Sequence, residues 1–423
     1  MPKKVLILTS LSKSSPRIPG MVKWLPAFGW KAIVITPPFP KKEKVFFTCI
    51  ETGYKGFLGS FAKVLGFAPQ GDIGEQAKKR VEQKSTLIKS LLRFVFQGVK
   101  EVLAYPDEDK NWIPFALHEV DNLLRKERID AIISSSSPVS AHIVAKKVKE
   151  RYKIPWIADL RDLWSQNHNY GYSFIRRFFD RRLEIKTLKP ADYITTVSWF
   201  CAQKLKKLHR KENVCVITNS FDPDLVNDPP AELSNKFTIT YTGQIYTGKQ
   251  DPLKLLIALR DLISEKIIKS EDIQVRFYGP KRDWLEKKIK KFGLTDIVKQ
   301  YGIIDRIKVI GKQRESQLLL LFLWEDPKEL AGFPSKIFEY LAARRPILAT
   351  GGFPENETVQ LLKETKAGVY AQKVKDIKEI LKKLYFEYKQ KGKVDYYGDL
   401  KEINKYSQIE MAKKFVNVLN QII

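Results

Sequence analysis

Residues 237–263 read FTITYTGQIYTGKQDPLKLLIALRDLI and combine three features that decide the fold. Phe237–Thr242 is a short apolar run of the kind that forms a buried parallel strand, whereas Pro252–Ile263 has the apolar spacing of a helix. Gly243–Gln250 lies between them as a glycine-containing turn. A strand, a glycine turn and a helix in this order predict one unit of an α/β sheet.

The same alternation recurs on both sides of a polar, proline-rich stretch, Asn227–Ala231, which indicates a linker. The strand candidates before the linker are 4–9, 32–36, 131–134, 156–158, 193–197 and 214–218, and those after it are 237–242, 274–278, 307–310, 318–323 and 346–349. Amphipathic segments such as Ala141–Arg151 and Phe174–Leu188 separate them. We therefore predict an α/β protein of two Rossmann-like, doubly wound domains that face each other.

The composition excludes several classes of protein. A chain of 423 residues that is 43% hydrophobic is neither disordered nor fibrous. The 75 Lys and Arg residues outnumber the 48 Asp and Glu residues, so the net charge is +27 and the expected partners are anionic: a phosphorylated substrate, an anionic membrane face or nucleic acid. The three cysteines show no paired spacing, which argues against a disulfide framework or a zinc cluster.

The first residues and the apolar runs bear on location. Met1–Lys4 leads directly into the first strand, so we expect no secretory signal and a cytoplasmic protein. The longest unbroken apolar run, Leu318–Trp324, is far shorter than a membrane span. The segment Ser85–Tyr105 has apolar residues at helical spacing and basic residues beside them. It is either a core-facing helix with lysines on its solvent side or an interfacial helix that contacts anionic lipid at the inner face of the membrane.

The loop after the strand 237–242 is the first candidate for chemistry. Gly243 to Gln250 nearly matches the phosphate-binding pattern G-x-x-x-x-G-K-[ST], but Gln250 replaces the hydroxyl residue that would ligate magnesium. Three interpretations follow: a nucleotide hydrolase loop, an anion site made of a glycine turn, Lys249 and a helix N-terminus, or an ordinary turn with a solvated lysine.

A second candidate is the stretch Gly332–Ala342, which reads GFPSKIFEYLA. Ser335 is placed to cap a helix that begins near Lys336, so a lysine and unpaired backbone N–H groups would together bind a diphosphate. Glu339 lies one turn further on, where its carboxylate would accept hydrogen bonds from a ribose diol. The alternative is a surface helix with ordinary salt bridges.

Two further candidates follow strands of the first half. Asp159, Arg161 and Asp162 come after the strand 156–158, and ligands of open α/β sheets bind beyond the carboxyl ends of the strands. The alternative is a purely structural network of Asp and Arg. Arg17 and Gly20 lie in the loop after the first strand and are a weaker candidate for acceptor contact.

These motifs, taken in order along the chain, resemble a known family. The chain is similar to the GT-B fold glycosyltransferases of family 4, in a branch associated with surface-polysaccharide assembly. The resemblance covers nearly the whole chain and is carried by Lys4–Thr9 with Pro16-Arg17, Trp24–Trp30, Tyr105–Glu108, Ile157–Trp164, Tyr241–Lys249 and Gly332–Pro346.

The resemblance implies transfer of a sugar from a nucleotide-diphosphate sugar to an acceptor hydroxyl, with retention at the anomeric carbon and with no required metal or other cofactor. Residues 231–404 would bind the donor, and residues 1–230 would bind the acceptor, a lipid-linked or surface glycan. In this family the last helix crosses back, so residues 405–423 would pack on the N-terminal domain.

The resemblance also assigns roles to residues of the donor side. Lys249 falls on the lysine of the family's diphosphate-binding Arg/Lys pair, while Gln244 stands where the family has the arginine. Lys336 is therefore our candidate for the second phosphate-binding cation. Glu339 falls on the second glutamate of the E-x7-E motif, and Ala331 stands in place of the first.

On the acceptor side, Arg161 replaces the histidine that many members carry near the fifth strand. Either Asp159 or Asp162 would position or deprotonate the acceptor hydroxyl. Two other functions remain as alternatives: a nucleotide-sugar epimerase on the same fold, and a basic protein that binds nucleic acid. The sequence contains no recognisable nucleic-acid reading motif, so we expect no specific nucleic-acid partner.

Overall fold

The computed structural model describes residues 2–13, 16–39, 46–55, 101–167, 169–326 and 332–423. The chain forms two compact units. The first comprises Met1–Val197, Cys201–Ile217 and Ala412–Ile423, and the second comprises Ser198–Phe200 and Thr218–Met411.

The first unit is built on a parallel sheet of seven strands in the order β3-β2-β1-β4-β5-β6-β7. The strands are β1 Lys3–Leu8, β2 Trp30–Thr36, β3 Thr48–Glu51, β4 Ala131–Ser136, β5 Trp156–Leu160, β6 Tyr193–Thr196 and β7 Val214–Val216. The central strand β1 pairs with two neighbours, because Val5 is in register with Ala32 on one side and Ala131 on the other. Its residues Val5–Leu8 are fully buried, as expected for a strand covered on both faces.

Five helices of this part of the chain are α1 Arg17–Trp24, α2 Ile113–Leu124, α3 Ser140–Tyr152, α4 Phe174–Leu188 and α5 Trp199–His209. The core between these helices and the sheet includes Trp112 and Trp156, both fully buried. Trp112 anchors the start of α2, since its indole N–H donates to the hydroxyl of Thr52 over 2.9 Å.

The second unit has a parallel sheet of six strands in the order β10-β9-β8-β11-β12-β13. The strands are β8 Phe237–Thr242, β9 Ile273–Tyr278, β10 Val298–Gly302, β11 Leu318–Phe322, β12 Ile347–Thr350 and β13 Gly368–Ala371. The helices described from β8 onwards are α6 Leu253–Ser264, α7 Asp283–Lys291, α8 Arg306–Arg314, α9 Lys336–Ala343, α10 Glu357–Thr365, α11 Val374–Lys391, α12 Leu400–Asn404 and α13 Gln408–Ile422. Both sheets have the doubly wound order, so the predicted pair of Rossmann-like α/β domains is confirmed.

The last helix begins in the second unit and ends in the first, because the division between the units falls after Met411. The ammonium of Lys3 donates to Asn420 Oδ1 over 3.3 Å. The guanidinium of Arg17 lies 5.1 Å from the centroid of the Phe415 ring. These contacts attach α13 to β1 and α1.

One predicted strand is wrong. Residues 307–310 form part of helix α8, and the strand of this region is β10, Val298–Gly302. The apolar run of 307–310 resembles a strand, but Ile307 is 84% exposed and so does not enter the sheet core. Strand β10 escaped prediction because it is an edge strand in which only Val298 is buried, while exposed residues alternate with half-buried ones.

Across the described residues, the helices are all too short or too polar to traverse a lipid bilayer. The proposed helix Ser85–Tyr105 lies outside the described residues except for 101–105, as do Ala331 and His168.

Candidate functional site

The carboxyl end of β8 is a place where two backbone segments approach closely. Gly243 follows this strand with a φ of +119°, and its N–H donates to the carbonyl of Tyr278 over 2.7 Å. A Cβ atom on Gly243 would lie 2.8 Å from Nζ of Lys336, and one on Gly279 would lie 2.3 Å from the carbonyl oxygen of Gly243. Gly279 is therefore required by backbone space as well as by its φ of +146°, whereas Gly243 is required by its φ, and the space beside it holds the cation of a mobile side chain.

Lys336 supplies that cation from the first residue of α9. Its Nζ donates to the hydroxyl of Tyr241 over 2.6 Å, and the same atom lies 4.2 Å from the centroid of the Tyr241 ring. Burial lowers the pKa of Lys336 to about 8, although the nearby carboxylate of Glu339 acts in the opposite direction. The Tyr241 hydroxyl in turn donates to the carbonyl of Gln244 over 2.8 Å, which fixes the lysine relative to the loop.

Glu339 lies in the first turn of α9 and is held from two sides. The side-chain amide of Gln313 donates to Glu339 Oε2 over 3.3 Å, and the guanidinium of Arg306 lies 3.6 Å from Oε1. The same Gln313 amide group donates to the hydroxyl of Thr242 over 2.9 Å. Sequence reasoning missed Gln313, Arg306 and Tyr241, because no local spacing connects α8 or β8 to the start of α9.

The loop Gly243–Gln250 is closed by its own last residue. The side-chain oxygen of the buried Gln250 accepts from the N–H of Tyr246 over 3.0 Å, and its amide group donates to the carbonyl of Phe322 over 2.8 Å. Gln250 therefore closes the loop through its own hydrogen bonds. A nucleotide hydrolase loop instead has at this position a hydroxyl that binds magnesium. Lys249 extends over Trp324, with Nζ 4.2 Å from the ring centroid.

The predicted cap of α9 is only partly correct. Ser335 directly precedes the helix, but its backbone is already helical, with φ −54° and ψ −28°, and its side chain makes no capping hydrogen bond. The N–H groups of Ile337 and Phe338 already donate to the carbonyls of Pro334 and Ser335 over 2.9 Å and 3.3 Å. What this end of the helix offers an anion is therefore chiefly the positive end of the helix dipole.

The two aspartates of the first unit differ sharply in environment. Asp159 is the fourth residue of β5 and lies inside the sheet, not after it as the sequence predicted. Arg17 donates to both of its oxygens, Nη2 to Oδ1 over 2.8 Å and Nε to Oδ2 over 3.1 Å, and both side chains are fully buried. The hydroxyls of Ser135 and Thr195 donate to the same carboxylate over 2.8 Å and 2.7 Å.

These contacts govern the charge of Asp159. Burial alone would raise the pKa of its carboxyl, but the Arg17 charge and the hydrogen bonds from Arg17, Thr195 and Ser135 together hold the pKa below its usual range. The arrangement is that of a structural ion pair in the core. Gly20 is also a core residue, since it is buried in the first turn of α1 and its N–H donates to Pro16. Arg17 and Gly20 therefore lie in α1 and not in an exposed loop.

Asp162 and Arg161 lie just beyond the carboxyl end of β5. The side chain of Asp162 reaches solvent and is exposed. The protein atoms around it still displace part of its water, which raises the pKa of the carboxyl, and the positive charge of Arg161 offsets this increase only in part. The Arg161 guanidinium is fixed by carbonyl groups: Nε donates to Ser136 over 2.6 Å and Nη2 to Ser137 over 2.9 Å. Burial lowers the pKa of Arg161 from its ordinary value.

Within the described ranges, His, Cys, Asp and Glu side chains form no group of three or more that could hold a metal ion. Asp107 and Asp109, which are two positions apart in the sequence, are held by partners within the chain. Asp107 accepts from the N–H and hydroxyl of Ser140, each over 2.7 Å, and Asp109 forms an ion pair with Lys13.

Comparison with known proteins matches a family model to each half of the chain. Residues 20–225 match the model of Glycosyltransferase Family 4, and residues 236–385 match that of Glycosyl transferases group 1. No curated protein matches the sequence.

Several solved structures share the fold. Alr3699/HepE of Anabaena, solved with UDP and glucose, has a TM-score of 0.62 at 13% identity over 99% of this chain and 100% of its own. A glycosyltransferase of Rickettsia africae ESF-5 has a TM-score of 0.60 at 14% identity, covering 100% of this chain and 98% of its own. The sucrose-phosphate synthase tll1590 of Thermosynechococcus elongatus has a TM-score of 0.60 at 12% identity, covering 99% and 98%.

At these identities the structural likeness establishes the fold, and the two family matches, one on each half of the chain, establish the family. The chain belongs to the family 4-like glycosyltransferases of the GT-B fold.

Proposed function

We propose that this glycosyltransferase moves a sugar from a UDP-sugar to an acceptor hydroxyl with retention of anomeric configuration. The observation that carries the proposal is the half-buried cation of Lys336, which is hydrogen-bonded to the neutral hydroxyl of Tyr241 and adjacent to the glycine loop after β8. UDP is the nucleotide we favour because Alr3699/HepE, which has the same fold, was solved with UDP and with UDP-glucose.

On the donor side, the residues of the second unit would stabilise the leaving group. Departure of the sugar places negative charge on a nucleoside diphosphate. Lys336, the positive end of the α9 dipole and Lys249 would stabilise that charge, in place of the arginine for which Gln244 stands. Glu339 is held by Gln313 and Arg306 in a fixed position from which it would bind the ribose diol.

On the acceptor side, we assign Asp162 to the acceptor hydroxyl and Asp159 to the core. An exposed carboxylate with a raised pKa is a better proton acceptor than one that four hydrogen bonds hold in its charged form. Arg161, fixed by three backbone carbonyls, would orient the acceptor or the donor sugar as a permanent cation.

The acceptor class remains a proposal of its own. We infer a lipid-linked or surface glycan, with the enzyme working at the cytoplasmic face of a membrane. The supporting observation is the charge of +27, which favours anionic surfaces. The basic, apolar segment Ser85–Tyr105 supports the same location through its sequence.

Ligand binding tests the donor site first. We would titrate UDP, GDP, ADP and dTDP into the full chain by calorimetry and then repeat the UDP titration with Lys249→Ala and with Lys336→Met. We expect UDP to bind and both variants to lose about tenfold or more in affinity, since hydrogen bonds to charged groups contribute about 1.5–3 kcal/mol each. The matched control is Lys287→Ala, which removes an exposed lysine of α7.

The reaction class needs a second experiment. Incubation with UDP-sugar alone, followed by NMR of the nucleotide sugar, separates transfer from epimerisation, because an epimerase converts the donor without an acceptor. Incubation with a glycan acceptor then gives the anomeric configuration of the product. Wild-type affinity in both lysine variants would overturn the donor site, and an inverted product would overturn the proposed retention.

A further inference from the structure

Helix α4 has an amphipathicity opposite to that of an ordinary surface helix. Its buried side chains include the charged residues Arg176, Asp180 and Glu184, spaced one turn apart. Its solvent side carries large apolar groups: Phe174 is 82% exposed, Phe178 50% and Phe179 52%. In a soluble helix the apolar stripe normally faces the core, so this orientation needs a physical reason.

The buried polar face is fixed by specific partners. Arg176 donates to Asp180 over 2.8 Å and to the carbonyl of Pro106 over 2.6 Å. Glu184 accepts from the N–H of Ser165 over 2.9 Å and from the ring of His209 over 3.3 Å. Rotating the helix to bury its phenylalanines would break these contacts and leave buried charges unpaired, which is costly. The aromatic residues therefore remain outside.

The charge of the exposed side has a single sign. Arg177, Arg181, Arg182 and Lys186 are exposed on α4, whereas both acidic residues of this helix face inward. The Arg182 guanidinium lies 4.2 Å from the centroid of the Phe178 ring, so cations and aromatic rings share one surface. We call the residues Phe174, Ile175, Arg177, Phe178, Phe179, Arg181, Arg182 and Lys186 the α4 patch.

A groove beside the α4 patch continues this chemistry. It has a volume of about 1060 Å³ and lies between α4 and the residues at the end of α5. Phe174, Phe178 and Ile185 line it together with Arg177 and Arg181. On its other side it is lined by Lys207 and Arg210, and the described residues that line it include no acidic side chain. The groove thus offers positive charge next to apolar surface.

The charge of the α4 patch discriminates between three occupants. A second copy of this chain would place one set of arginines against the other, and like charges repel. Residues 56–100 of the same chain carry eight Lys or Arg residues against three Asp or Glu residues, so their charge has the wrong sign as well. An anionic bilayer has complementary charge, and its interface also takes up exposed phenylalanine side chains.

We propose that the α4 patch docks the protein on an anionic phospholipid bilayer, with the phenylalanines inserted at the acyl boundary and the arginines on the lipid phosphates. This inference rests on the membrane location proposed above and names its contact surface, but its test is separate from the proposed donor and reaction, because vesicle binding requires neither. It assigns membrane contact to a helix other than the segment Ser85–Tyr105.

The test is co-sedimentation of the full chain with vesicles of phosphatidylcholine alone or of equal parts phosphatidylcholine and phosphatidylglycerol. Two variants remove the two components: Phe174→Ser/Phe178→Ser/Phe179→Ser and Arg177→Gln/Arg181→Gln/Arg182→Gln. Matched controls remove as much from exposed positions of the second unit: Phe386→Ser/Tyr397→Ser/Leu400→Ser and Lys287→Gln/Lys290→Gln/Lys291→Gln.

We expect the wild-type chain to bind the anionic vesicles and not those of phosphatidylcholine alone. Each α4 variant should lower the partition coefficient by about tenfold or more, given about 1 kcal/mol per basic residue at an anionic surface, and the controls should not. If the lysine control lost as much vesicle binding as the arginine variant, the net charge of the protein alone would explain the attraction and the proposal would be overturned. Undiminished vesicle binding of the phenylalanine variant would overturn it as well.

Hydrogen exchange gives a measurement that needs no substitution. Anionic vesicles should slow amide hydrogen exchange across 174–186 in the wild-type chain. As a separate control for the folding of the α4 variants, their affinity for UDP should equal that of the wild type. Exchange that is unaltered across 174–186 when the vesicles are bound would place the contact elsewhere and overturn the proposal.

Discussion

The Nζ atom of Lys336 lies 2.6 Å from the hydroxyl oxygen of Tyr241, a residue 95 positions earlier in the chain. This bond joins the carboxyl end of strand β8 to the first residue of helix α9. Because the lysine is held by a neutral hydroxyl, and no carboxylate of the described residues lies within ion-pair distance of it, its charge remains available to a ligand. The predictions for the donor site follow from this pair.

The first prediction concerns pH. Burial lowers the pKa of Lys336 to about 8, so the ammonium loses its proton at higher pH. A bound diphosphate favours the protonated form, so we expect UDP affinity to be constant below about pH 8 and to fall by up to about tenfold per pH unit above it. The terminal phosphate of UDP is already ionised there.

Calorimetric titrations of UDP across this range would measure the effect. Lys336→Arg keeps its charge at every pH and should flatten the profile, and Lys336→Met should flatten it at a lower affinity. If Lys336→Met retained the wild-type slope, another group would be responsible for the pH dependence.

A second prediction separates the tyrosine from the lysine. Tyr241→Phe removes the hydroxyl that accepts from Lys336 and donates to the carbonyl of Gln244. We expect the free energy of unfolding to fall by about 1–3 kcal/mol, because two groups lose a partner. The pKa of Lys336 should also fall further, since a hydrogen bond to its charged form is lost. The pH at which UDP affinity begins to decline should therefore move down, and an unchanged profile would argue against the coupling.

The sequence predicted the parts of this protein that are local. Apolar runs located β1 and β8, and the helix Phe174–Leu188 was predicted with its observed bounds. The pairs that define the sites were not predictable, since Lys336 and Tyr241 are 95 positions apart and Arg17 and Asp159 are 142 apart. Only the winding of the sheet brings such residues together. For the same reason, Asp159 resembled an active-site acid in the sequence but lies in a core ion pair.

A third prediction concerns that ion pair. Arg17→Met leaves the fully buried Asp159 carboxylate without its counter-charge, and breaking such a pair costs about 3–5 kcal/mol. Arg17→Met/Asp159→Leu should recover most of this loss, because apolar groups of similar volume replace a buried pair without penalty. Urea denaturation of the three proteins would measure these differences. A double variant no more stable than Arg17→Met would contradict the assignment.

The same pair predicts a dependence of stability on pH. The pKa of Asp159 is depressed in the folded protein, so its contribution to stability is present above the usual carboxyl pKa and is lost as pH falls through the folded-state value. Arg17→Met should remove this loss in acid, because without the arginine burial raises the pKa of Asp159. Urea denaturation at neutral and acidic pH would show it, and an equal loss of stability in wild type and variant would assign the acid sensitivity to other groups.

The last prediction distinguishes the two aspartates by what each variant loses. Asp162 is exposed and accepts none of the hydrogen bonds found among the described residues, so Asp162→Asn should fold with wild-type stability. As the proposed group at the acceptor hydroxyl, it should lower kcat by about 10²–10⁴-fold, the range for a general base, with UDP affinity unchanged. Asp159→Asn should instead lower stability, because the Arg17 charge is left buried without a counter-charge.

The raised pKa of Asp162 adds a pH dependence to this prediction. Wild-type kcat should fall as pH drops through that pKa, since the base must be ionised to accept a proton. Turnover near the wild-type rate in Asp162→Asn, measured with donor and acceptor both saturating, would remove Asp162 from the reaction and return the role to an unassigned group of the acceptor side.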